Sequence, residues 1–129
     1  MTSAPPRLKR RREFVRASNR GRKAAVPGLV LQAVEREGGE GDLRCGFTVS
    51  KRVGNAVRRN RARRRLRAIA AEILPLRAMP GFDYVLIGRG TTPDRPYDAL
   101  RRDLVAALKR LKLCQDGTRP GDGLAQEWS

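Results

Sequence analysis

Residues 46–67, GFTVSKRVGNAVRRNRARRRLR, carry nine positive side chains between Lys51 and Arg67 and no acidic one. They are Lys51, Arg52, Arg58, Arg59, Arg61, Arg63, Arg64, Arg65 and Arg67. Such a segment can fold only with its cations turned outward, and the surface it makes is one for a polyanion. Its start reads as a strand over 43–50, because Leu43, Cys45, Phe47 and Val49 alternate with Arg44, Gly46, Thr48 and Ser50. Gly54 supplies a turn, and Asn55 has a side chain suited to cap the helix that follows. At about 100° per residue, Ala62, Leu66, Ile69, Ala70 and Ile73 share one core-facing arc. Arg61, Arg63, Arg64, Arg65 and Arg67 spread over the rest of the circumference, with Arg58 near its edge. Arg59 projects toward the apolar arc, so it is expected either to sit in a frayed first turn or to run its stem over the edge of the core. Like-charge pairs such as Arg59/Arg63 and Arg61/Arg65 each oppose the helix by roughly 0.2–0.5 kcal/mol. A guanidinium fork grips a phosphate through two hydrogen bonds and stacks on bases, so arginine suits a nucleic-acid partner.

The rest of the chain agrees with this reading. Its 129 residues allow one domain, and a net charge of +16 favours nucleic acid or an anionic membrane. No apolar run is long enough to span a bilayer, and the basic N-terminus lacks the apolar stretch of a secretory signal, so a cytoplasmic protein with no membrane partner is expected. Histidine is absent, which removes the commonest general base and metal ligand. Cys45 and Cys114 form no CxxC motif and are expected to be free thiols. The aspartates Asp83, Asp94, Asp98 and Asp103 are too scattered for a two-metal nuclease site, and no metal ligand set is expected.

In chain order, residues 1–8 are expected to form a flexible basic tail, 9–113 a single RNA-binding domain, and 114–129 a disordered C-terminal tail. A first helix over about Lys9–Asn19 would place Phe14 inward or leave its ring for a base to stack on. A strand follows over 28–35, then a glycine-rich acidic hairpin loop leading to the strand at 43–50. The arginine helix should end by Pro75. Residues 82–88, FDYVLIG, read as a buried central strand. A last helix is expected from Pro96 through about Leu113, with Asp94 or Arg95 near its cap. The pattern is an α/β (α+β) two-layer sandwich, a small mixed sheet with three helices.

The run S-K-R-V-G-N-A-V-R-R-N-R-A-R-R-R-L-R, with Arg59, Asn60 and Arg61 at its core, resembles the signature of the bacterial ribonuclease P protein family. The resemblance extends over roughly residues 7–113. It implies a fold like a ribosomal-protein domain, with the basic helix in a left-handed βαβ crossover, against the usual right-handed rule. It also implies a non-catalytic protein subunit of a ribonucleoprotein endoribonuclease, one protein per RNA. In that family the RNA cleaves the 5′ leader from precursor tRNA using Mg²⁺ held mainly by the RNA. Carried over by position, Lys51, Arg52, Asn55, Arg58, Arg59, Asn60, Arg61, Arg63, Arg64 and Arg67 would face the catalytic RNA. A cleft with Arg10, Phe14, Arg16, Gln32, Thr48 and Ser50 would hold the single-stranded leader. Ser18 and Gln32 stand where many members have aromatics, which implies weaker base stacking and a larger share for phosphate contacts. The alternative is a non-catalytic basic RNA-binding protein of ribosomal type.

Overall fold

The structure, a computed structural model, describes residues 7, 8, 11, 12, 14, 21–36 and 43–115. Four strands, β1 (Arg22–Val26), β2 (Leu29–Glu35), β3 (Arg44–Thr48) and β4 (Phe82–Gly88), form one sheet in the order β1-β2-β4-β3. Two helices, α1 (Ala56–Arg77) and α2 (Tyr97–Arg110), cover one of its faces. The architecture is the expected α+β sandwich on a mixed sheet.

β4 lies inside the sheet because it is apolar on both faces: Tyr84 and Leu86 point one way, Val85 the other, and all are buried. It runs antiparallel to β2 and parallel to β3. The stretch between β2 and β3 is therefore no hairpin loop, since those strands flank β4 rather than pair with each other. Parallel neighbours need a long crossover, and α1 provides it. β1 is a strand the sequence reading did not anticipate. It pairs with β2 in a tight hairpin closed by Val26 opposite Leu29, with Pro27 and Gly28 at the turn. The predicted strand over 28–35 accordingly starts one residue later, and the one over 43–50 is shortened to Arg44–Thr48 because Ser50 caps a short 3-10 turn, Lys51–Val53.

Asn55 caps α1 as expected, its Oδ1 accepting from the Arg58 backbone N–H at 3.0 Å. All five residues of the predicted arc are buried, with Leu74 added. The helix does not stop by Pro75 but continues to Arg77. Proline forfeits one N–H, the one that would reach Ala71, and the Ala78 N–H bonds the Leu74 carbonyl at 3.0 Å just beyond it. α2 is shorter than expected. Pro96 sits at its N-cap, neither Asp94 nor Arg95 caps it, and the left-handed φ of 62° at Lys112 follows its last turn.

The main core lies between sheet and helices, with Leu29, Leu31, Tyr84 and Leu86 against Leu66, Ile69, Leu100, Leu104 and Leu108. Burying each such side chain stabilises the fold by roughly 1.5–3 kcal/mol. A smaller cluster of Leu8, Val34 and Val85, with Phe14 and Ile87 beside it, occupies the opposite sheet face. The Leu8 N–H donates to the Cys45 carbonyl at 2.8 Å, which ties the N-terminal segment to β3. Of the predicted first helix, Arg11, Arg12 and Phe14 are helical. The rest of it, including Arg10, Arg16 and Ser18, lies outside the described residues, as do residues 116–129.

Candidate nucleic-acid interface

The basic surface starts where Ser50 Oγ accepts from the Arg52 N–H at 3.3 Å and fixes the turn that presents Lys51 and Arg52. Gly54, at φ 141°, then redirects the chain into α1. A side chain there would be strained, and its Cβ would stand 2.8 Å from Arg58 Cδ. Along this surface the cations differ in what they meet.

Arg58 and Arg65 turn toward the loop of residues 89–95. Arg58 donates to the Asp94 carboxylate at 2.9 Å and, over longer distances, to the carbonyls of Val53 and Gly90. Arg65 donates to the carbonyls of Pro93 and Arg95. The helical period places both on the outer circumference, and the loop comes up to meet them.

The side chains of Lys51, Arg52, Arg61, Arg64 and Arg67 are exposed and make no hydrogen bond or ion pair with a described residue. Asn60 is exposed between them, and its Oδ1 accepts from Arg63 at 3.4 Å. Arg59 is half-buried, as its position near the apolar arc implies. Its Nε is buried and has no hydrogen-bond partner among the described residues. A buried unpaired donor is costly, and an acceptor brought by a ligand would satisfy it. Partial loss of water, with Arg7 and Arg63 close by, holds the Arg67 guanidinium below the ordinary arginine pKa. Arg7 also stacks over the Phe47 ring at 5.8 Å. Its place beside Arg67 was hidden by its position in the N-terminal tail.

Of the residues predicted for the leader cleft, Phe14, Gln32 and Thr48 lie on the other face of the sheet. By register, Gln32, Val85 and Gly46 form one row across it, with Thr48 beside Ile87 in the next and Val34, Asp83 and Arg44 in a third. Phe14 lies directly on Gly46, where a Cβ would stand 2.6 Å from its ring. Gln32 is buried and Thr48 exposed. Ser50 lies beyond the end of β3 and is engaged in its turn. Arg44 grips Asp83 with two hydrogen bonds, 2.9 and 2.8 Å, and Arg36 approaches to 3.8 Å. A lone carboxylate inside the apolar run FDYVLIG was the signal that a cation must lie on a neighbouring strand. Among the described residues no group of three or more His, Cys, Asp or Glu could hold a metal ion, and no helix is long and apolar enough to cross a membrane.

A mixed four-stranded sheet with an arginine helix as its parallel crossover, cations outward, defines a small basic α+β protein built to meet a polyanion. The Ribonuclease P family model matches residues 3–112. The ribonuclease P protein component of Paramagnetospirillum magneticum is 52% identical over 118 residues, 89% of each chain. That of Ruegeria pomeroyi is 49% identical over 81% of this chain and 84% of its own. Among solved structures, the ribonuclease P protein of Thermotoga maritima superposes with a TM-score of 0.69 at 28% identity, over 81% of this chain and 96% of its own. A mutant of the Staphylococcus aureus protein, defective in mRNA degradation, gives 0.72 at 26%, over 83% and 88%. The chain belongs to the ribonuclease P protein family.

Proposed function

We propose that this chain, as the protein subunit of ribonuclease P, binds the catalytic RNA through the outer face of α1 and the 5′ leader of precursor tRNA across the opposite sheet face. The observation that carries the reading is the set of Lys51, Arg52, Arg61, Arg64 and Arg67, whose exposed side chains have no partner among the described residues, beside the orphaned Nε of Arg59. Phosphate oxygens would relieve both their mutual repulsion and that orphaned donor. Asn55 and Ser50 hold the backbone from which these cations project. On the far face, the Phe14 ring over Gly46, with Gln32 and Thr48 nearby, offers a place for an unpaired base to stack. In this reading the RNA carries the Mg²⁺ and performs cleavage, the protein alone is inactive, one protein serves one RNA, and the complex works in the cytoplasm.

A salt titration of binding to a bacterial ribonuclease P RNA tests the electrostatic part. Six duplex-like phosphate contacts give a slope of log K against log salt of about −5. A slope near zero contradicts the assignment.

A further inference from the structure

Asp94 is, among the described residues, the one acidic side chain paired with a cation of the Lys51–Arg67 segment. Its carboxylate is 62% exposed, and it meets Arg58 at 2.9 Å from the solvent side. Arg58 dominates its environment and, with Arg61 and Arg65 further off, holds its pKa below the usual carboxylate value.

The pair is not needed to keep the loop in place. Thr92, fully buried, donates its hydroxyl to the Gly28 carbonyl at 2.6 Å and accepts from the Arg89 N–H at 2.8 Å. The Arg95 N–H bonds the Thr91 carbonyl at 2.9 Å, and Arg65 clamps the carbonyls on both sides of Asp94. Exposed ion pairs add little to stability. A carboxylate and a phosphate present a guanidinium with the same pair of acceptor oxygens.

We propose that Asp94 is an internal stand-in for an RNA phosphate: it holds Arg58 extended at the edge of the basic surface and competes with the RNA backbone for that guanidinium. Binding then proceeds by exchange, with Arg58 passing from Asp94 to a phosphate and the carboxylate turning to solvent. Asp94 thereby lowers the affinity for any polyanion and reserves Arg58 for a phosphate placed well enough to displace it. This rests on the reading of α1 as an RNA-binding face.

The test is binding of the full-length protein to a ribonuclease P RNA transcript over a range of salt concentrations, for the parent, Asp94→Asn, Asp94→Glu, Arg58→Ala and the Asp94→Asn/Arg58→Ala double variant. Thermal melts establish that each is folded. Asp94→Asn is expected to bind a few-fold tighter at low salt, the gain shrinking as added salt screens the Asp94–Arg58 attraction in the parent. Asp94→Glu should return to the parent, and removing Arg58 should abolish most of the gain from Asp94→Asn. A stabilising strut alone would give the reverse, with Asp94→Asn melting lower and binding no better. If the parent binds with a steep salt dependence while Asp94→Asn has the parent's affinity and slope, the proposal is overturned and the RNA-binding reading stands. If the parent itself shows no salt-dependent binding, that reading fails and the proposal fails with it.

Discussion

Arg44 and Asp83 sit side by side in the parallel β3–β4 register, and the guanidinium holds both carboxylate oxygens, at 2.9 and 2.8 Å. The carboxylate is 2% exposed, whereas Arg44 still reaches water. A buried charge with its partner removed costs more than the pair contributes. Asp83→Ala should therefore destabilise the protein by about 2–3 kcal/mol, the lower end for a buried pair because the arginine is part-solvated. Urea unfolding measures it, and a loss under about 0.5 kcal/mol would show the pair to be incidental.

Gly46 leaves the space into which the Phe14 ring settles. Gly46→Ala puts a methyl 2.6 Å from Phe14 Cε1 and 3.2 Å from Leu8 Cδ1, so the ring must move. If Phe14 stacks on a leader base, the variant should lose about 1 kcal/mol of the preference of the holoenzyme for leader-bearing over mature tRNA. Affinity for the catalytic RNA should not change. Equal losses for both tRNA forms would place the leader elsewhere.

Much of this architecture is legible in the residues, because burial on α1 follows helical period and β4 announces its central place by being apolar on both faces. What escaped depended on pairings distant in sequence. β1 is five residues with two charges at its start and no strong pattern of its own, yet the Pro27-Gly28 turn beside two short apolar runs was a usable hairpin signal. The inward turn of Arg58 and Arg65 could not be read, because periodicity places a side chain on a helix face but says nothing of a loop arriving from 30 residues downstream. Gly46 is one of the residues that alternate with the apolar ones of the predicted strand, yet its surroundings are apolar, since Leu8 and Phe14 cover it.

Cys45 is buried, and burial pushes its thiol up from 9.0 to about 11, with Arg7 opposing. Burial also raises Tyr84, and burial with the Glu72 hydrogen bond raises Tyr97 to about 12. All three folded-state values exceed the unfolded ones, so the unfolded chain loses its protons first. Their contribution is complete below about pH 9 and is lost as pH rises through the folded values. Cys45 alone should account for about 1 kcal/mol of lost stability by about pH 10. Urea unfolding across that range should show the decline, and Cys45→Ala should flatten it; an identical decline in the variant would assign it to the tyrosines.

The central claim is that this chain assists an RNA enzyme through the cations of α1. The most direct measurement is cleavage of a precursor tRNA at low Mg²⁺ by a bacterial ribonuclease P RNA, with and without the protein. Protein alone and a variant with Arg59, Arg61 and Arg64 replaced by Ala serve as controls. Strong stimulation by the protein, lost in the variant and absent without RNA, is the predicted result. Tight RNA binding with no stimulation, or cleavage by the protein alone, would contradict the account.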